Sequence, residues 1–284
     1  MLPRILILFV VLTLTHVVPA FGQQPAGTPS TPAELDELLR RAELKAKEYR
    51  DKFKDLSADE EQEILEYETD GKVKRQRRIV SDLVIYQSQL DSTKMREYRN
   101  VRSVDGKAIE NRDKRLVSLF NKLAKADSAK KELDRINRES SRHYLAFSSD
   151  GYTLNEGMFL VENLRSALEF TFAGREQING RDVIVVKYQQ TAPHPEINLK
   201  LESLPKQLKG AETRHRGRLW LDAETAQLWR EEQEATIVHP VLRRPLVFIR
   251  FDFEYKSSKF GILTPRRIVF SAFRHGRGAF DKAP

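Results

Sequence analysis

Cysteine is absent from the 284 residues. That excludes a disulfide framework, a thiol nucleophile and the lipid that a bacterial lipoprotein carries on its first cysteine. Histidine is sparse: His16, His143, His194, His215, His239 and His275 stand far apart, with no i,i+4 pair, so no metal site is expected. A glycine-rich phosphate loop is missing too, because Asp70-Gly71-Lys72 and Asp105-Gly106-Lys107 read as hairpin turns rather than helix openings. No Gly-x-Ser-x-Gly occurs. Ser128-Ala-Lys-Lys and Ser203-Leu-Pro-Lys match a Ser-to-Lys spacing, but one lies on a charged helix and the other in a proline-bearing loop, without the companion motifs of that enzyme class. Asp222 and Glu224 sit side by side at a turn, where solvent-facing acids are ordinary, whereas glycoside hydrolysis needs two acids across a cleft. The expectation is a chain without catalysis, cofactor or metal.

Long apolar runs are also scarce, and the one present is N-terminal. Arg4, the run Ile5 to Val18, and the small residues around Ala20 and Gly22 read as a cleavable signal peptide over residues 1–22. At about 14 residues the run is short of the ~20 needed to span a bilayer. The remainder is expected to be a soluble, unlipidated periplasmic protein, folded by packing alone. The formal charge is +8. Many of the Lys and Arg residues alternate with Glu and Asp on helix faces, where they solvate, and no nucleic-acid partner is expected. The excess admits acidic partners such as anionic lipid head groups, hence peripheral membrane contact.

What is present is punctuated secondary structure. Residues 23–31 are a Pro/Gly/Thr/Ser-rich tether without periodicity, expected to be disordered. Thr31-Pro32 opens a helix whose stripe runs Leu35, Leu38, Leu39, Ala42, Ala46, Tyr49, Phe53 and Leu56. Strand-like runs follow around Ile64, from Lys72 to Gln87 and from Met95 to Val104; the turn Asp70-Gly71 joins the first two, and the third closes on Asp105-Gly106. Residues 110–138 return to helix, with Leu116, Leu119, Phe120 and Leu123 in one segment and Leu133 and Ile136 in a second that Asp127-Ser128 would cap. A short helical turn is expected from Met158 to Leu164. Next come Leu168-Glu-Phe170-Thr-Phe172, the turn Asn179-Gly180, and Val183 to Tyr188, which is apolar on both faces and so reads as a central strand. Residues 191–212, with Pro193, Pro195 and Pro205, read as an inserted loop, and residues 274–284 as a tail. Residues 32–273 are taken as one domain.

From His215 to Phe273 the chain reads as an antiparallel meander. Val247, Ile249, Phe251, Phe253 and Tyr255 alternate with Phe248, Arg250, Asp252 and Glu254, giving one nearly all-apolar face. Trp220 and Trp229 flank the turn at Asp222, either as the aromatic lining of a cavity or as ordinary core and surface residues. The face is predicted to gather Leu168, Phe170, Phe172, Trp220, Val247, Ile249, Phe251, Phe253 and Tyr255 beneath the helices 33–56 and 110–136, since amphipathic helices need an apolar surface. At Trp220 the neighbours Leu219 and Leu221 compete for the same face.

Gly217-Arg-Leu-Trp-Leu-Asp-Ala-Glu-Thr and Phe260-Gly-Ile-Leu-Thr-Pro-Arg-Arg-Ile, following a leader and a helix packed before strands, resemble the LolA/LolB/RseB-like superfamily of bacterial envelope proteins. The chain departs from that pattern in its long middle helices and its proline-rich insertion. The resemblance implies an α+β fold: a curved antiparallel sheet of about 9–11 strands, an unclosed half-barrel with helices covering its concave face. It brings no catalytic residues. It implies a monomeric binder of a lipid or of the acyl chain of a lipoprotein, or else a module of the sensor-regulator kind that meets another envelope protein.

Overall fold

The structure, a computed structural model, describes residues 29, 31–52, 56–68, 70–88, 91–125, 129–144, 158–195, 197, 210–242 and 244–273. The expected leader and tail, most of the tether, the Asp127-Ser128 cap and most of the 191–212 loop lie outside the described residues.

Helix α1 (Pro32–Lys52) starts where Thr31 predicts. The Thr31 hydroxyl accepts the Glu34 N–H at 3.2 Å, and the Glu34 carboxylate accepts the Thr31 N–H at 3.1 Å, a reciprocal capping box. Four strands follow as an antiparallel sheet in chain order: β1 (Ser57–Tyr67), β2 (Val73–Ser88), β3 (Asp91–Val104) and the two-residue β4 (Lys107–Ala108). Asp105 at φ 51° and Gly106 at φ 78° supply the left-handed pair that a tight hairpin requires. Helices α2 (Arg112–Ala124) and α3 (Ala129–Ser140) come next, then a 3-10 turn (Met158–Leu160) and the four-residue α4 (Glu162–Arg165).

The second sheet has six antiparallel strands: β5 (Leu168–Ile178), β6 (Arg181–Gln190), β7 (Glu212–Asp222), β8 (Leu228–Val238), β9 (Leu246–Ser257) and β10 (Leu263–Ala272). They pair strictly with their chain neighbours, so β5 and β10 are its two edges. Neither sheet closes on itself. The architecture is α+β, an open half-barrel of antiparallel strands. Among the described residues no helix is long and apolar enough to cross a membrane.

One apolar core joins the two sheets. It runs from Leu38, Leu39, Ala42, Ala46 and Tyr49 of α1 to Leu83 and Ile85 of β2, Phe159, Leu160 and Leu164, and the inner residues of β5 to β10. A second, separate core holds Tyr86 and Tyr98 against Leu119, Leu123, Leu133 and Ile136. This corrects one expectation. Helix α1 covers the concave face, but α2 and α3 lie on the opposite face of the four-stranded sheet. The reason is the two-sided character of β2: Leu83 and Ile85 point one way while Val84 and Tyr86 point the other, and each side needs its own cover. Phe120 plugs the outer face, with its ring 4.9 Å from Tyr86 and 5.7 Å from Tyr98, both edge-on.

Candidate functional site: the concave face of the six-stranded sheet

Register decides which side chains meet. Residues directly opposite in an antiparallel pair share a face. Phe170 lies opposite Tyr188 and Phe172 opposite Val186; Val186 lies opposite Leu219, Leu219 opposite Glu231, and Glu231 opposite Phe253. With Ile268 of β10 opposite Phe253, that row crosses the inner face from edge to edge. Phe251, Phe253 and Tyr255 follow one another along β9 with ring centroids 5.5 and 6.3 Å apart, and Phe270 adds a ring 4.9 Å from Phe251. Leu168, Phe253 and Tyr255 are buried, Phe170, Ile249 and Phe251 half-buried, and Phe172 is 38% exposed at the sheet edge.

Two of the predicted residues do not belong to this face. Leu219 and Leu221 point inward, so by strict alternation Trp220 points out, where it packs with Val183 and Val185. Its indole N–H donates to Glu176 at 2.9 Å, and the Arg230 guanidinium lies over its ring at 4.7 Å. Val247 leaves the face because of a bulge. Ile249 pairs with Ala235 but Val247 with Thr236, so Phe248 is the extra residue and the facing reverses beyond it. A bulge likewise separates Trp220 from Leu221 in the pairing of β7 with β8, placing Trp220 opposite Arg230 rather than Trp229.

The face is largely filled from within the chain. Phe159 and Leu160 are fully buried against it, the Phe159 ring lying 4.9 Å from Tyr188 and 5.2 Å from His215. His215 gives its backbone N–H to Gln190 at 3.0 Å, and its Nε2 bonds the Ile197 carbonyl at 2.8 Å. Burial holds its imidazole below the ordinary value, against the opposing pull of that carbonyl. Tyr188 lies flat across β7 at Gly217, and its hydroxyl donates to the Glu232 carbonyl at 3.4 Å. Burial, reinforced by Glu231, Glu232 and Glu234, pushes its phenol well above the usual value. Neither the 3-10 turn's role as a plug nor the match of Gly217 to Tyr188 is signalled by period or motif.

The inner face of the four-stranded sheet carries a buried polar cluster directly opposite Leu83 and Ile85. Arg99, with its side chain 1% exposed, forks onto Glu60 at 2.7 and 2.9 Å and reaches Glu97 at 2.9 Å. Ser81 adds a hydroxyl to Glu60 at 3.1 Å. Burial opposes the guanidinium charge, but Glu60 and Glu97 outweigh it and raise the Arg99 pKa. Among the described residues no three His, Asp or Glu side chains are placed to hold a metal ion.

Among the described residues, the apolar face is open beside the β5 edge. Between the first turns of α1 and the β5 edge lies a cleft of about 330 Å³, walled by Leu35, Leu39, Leu168 and Phe170. Arg165 of α4 stands at its mouth, bonded to Asp36 and 3.7 Å from Glu43, both on α1.

No family model matches the chain, and no curated protein matches it. A crystal structure from Vibrio parahaemolyticus, named as an outer membrane lipoprotein-sorting protein domain, aligns over 87% of this chain and 97% of its own. The identity is 14% and the TM-score 0.28. That likeness is too slight to carry a family or a function across.

Proposed function

We propose that this chain is a non-catalytic binding protein of the bacterial cell envelope, exported to the periplasm, that takes up a lipid or the acyl chain of a lipoprotein on its concave face. The observation that carries the reading is the unfinished cover of that face. Toward β5 the apolar row continues past α1 into the open cleft through Leu168 and Phe170, and the exposed ring of Phe172 follows Phe170 on the same face of β5, outside the cleft's own walls. A cleft of about 330 Å³ is at the small end of the ~300–1,000 Å³ that ligand pockets occupy. Each methylene it buries contributes about 0.8 kcal/mol, so an acyl chain needs little polar recognition. The pairs from Arg165 to Asp36 and Glu43 tie the start of α1 down beside the opening.

The test separates surface from core. Phe172→Asp sits at an exposed edge and should leave the protein folded while lowering uptake of a fluorescent fatty acid at least tenfold. Phe253→Asp, at a residue 1% exposed, should unfold the chain whatever its function, because an unpaired buried charge costs several kcal/mol. Phe172→Asp that binds as well as the parent overturns the reading.

A second reading has its own support. Phe159, Leu160 and Leu164 fill most of the concave face, as expected of a sensor-regulator module that meets an envelope partner through its surface. Protein purified under native conditions that carries no lipid by mass spectrometry, takes up none, and is recovered crosslinked to a single envelope protein would favour this alternative.

A further inference from the structure

At the far end of α1 the hairpin turns of the large sheet enclose a second cleft, of about 390 Å³. Its walls are unlike the apolar opening near Leu35. The Arg181 guanidinium carbon lies over the Trp229 ring, 4.3 Å from its centre. The Trp229 indole N–H donates to Asp222 at 3.2 Å, and Asp222 also takes the Glu224 and Thr225 N–H groups at 3.1 and 2.8 Å. Asp222 is therefore occupied by its own turn. Those bonds outweigh the opposing effect of burial and hold its pKa below the usual carboxylate range.

The donors in this cleft are less well supplied. Glu48 is 2.9 Å from Lys45. Among the described residues neither Arg181 nor Lys52 has a carboxylate within ion-pair distance, and the buried Nε2 of Gln227 has no acceptor. Lys52, in the last turn of α1, also complements the negative end of that helix. Arg181 is the cation with the fewest competing duties. A guanidinium placed over an indole face still has N–H groups to offer an oxyanion.

We propose that this cleft binds a phosphate group, with Arg181 as the main contact, Lys52 as the second charge and the Gln227 amide as a neutral donor. A phosphate has several acceptor oxygens and a charge that two cations match, as the three donor groups require. It could arrive free or on a lipid head group. This site is independent of the acyl-binding reading, because Leu35 and Lys52 are about 25 Å apart along a helix rising ~1.5 Å per residue.

The experiment uses Trp229 as reporter. The chain has two tryptophans, so Trp220→Phe in the full protein leaves Trp229 alone. Its emission is titrated with inorganic phosphate, and separately with vesicles of phosphatidylglycerol or of phosphatidylcholine. A saturable change that Arg181→Gln weakens at least tenfold, and Lys52→Gln severalfold, supports the site. A response to inorganic phosphate identifies a soluble ligand, and a response to phosphatidylglycerol vesicles alone a lipid head group. Gln227→Leu, which removes the neutral donor without burying a charge, should weaken the response severalfold while the circular dichroism spectrum and Tm stay near the parent's. No saturable change with any of the probes, or a change that Arg181→Gln leaves intact, overturns the proposal. Fatty-acid uptake measured on the same variants should not move.

Discussion

Gly217→Ala is a severe test of the inner face, because the position looks harmless in the sequence. A Cβ built there meets the Glu232 carbonyl oxygen at 1.9 Å and the Tyr188 hydroxyl and ring at 2.5 and 2.6 Å. The tyrosine can swing away, but the carbonyl is backbone, one residue from the Gly217↔Gln233 pair of the central ladder. Relief therefore requires β7 and β8 to part locally. Overpacking alone costs about 1–3 kcal/mol, and each ladder hydrogen bond lost adds about 1 kcal/mol. A total near 3 kcal/mol, at roughly 2–4 °C per kcal/mol for a chain of this size, predicts a Tm lower by about 6–12 °C. Differential scanning calorimetry measures it. Tyr188→Ala in the same background should not restore the parent's Tm, since it leaves the carbonyl in place and opens a cavity in the core. A Gly217→Ala protein within 2 °C of the parent would refute the close approach of β7, β8 and Tyr188.

Other expectations follow from the same geometry. Arg99→Met leaves the buried Glu97 and the half-buried Glu60 without their cation and should cost about 3–5 kcal/mol in urea unfolding at neutral pH; a cost below 1 kcal/mol would mean that solvent reaches the site. The His215 imidazole is held below 6.5 by burial, so the unfolded chain binds its proton first. Its contribution is present above about pH 6.5 and is lost as pH falls through the lower folded value. The urea midpoint of the parent should therefore fall from pH 7.5 to 5.5 more steeply than that of His215→Gln, and equal slopes would sink the assignment. Trp220→Phe loses one hydrogen bond to a carboxylate on the outer face, worth about 1.5–3 kcal/mol. It should leave fatty-acid uptake unchanged; lost uptake in a folded variant would return Trp220 to the concave side.

The sequence by itself determined the elements and most of the inner row. Thr31-Pro32 and the stripe from Leu35 to Tyr49 specified α1, and the Asp-Gly and Asn-Gly pairs specified three hairpin turns, because only those residues accept positive φ cheaply. Period-two alternation placed Leu168, Phe170, Ile249, Phe251, Phe253 and Tyr255 on their shared face, since a strand's facing is fixed locally. Tertiary structure decided the rest. Whether Trp220 or its two leucine neighbours faced inward depended on what β6 and α1 offered, and Val247 was displaced by a bulge that no composition announces. The choice of face for α2 and α3 followed from α1 and the Phe159 turn already occupying the other. The joining of Arg99, Glu60 and Glu97, and the meeting of Arg181 with Trp229, are pairings across strands distant in sequence, which periodicity along one strand cannot encode.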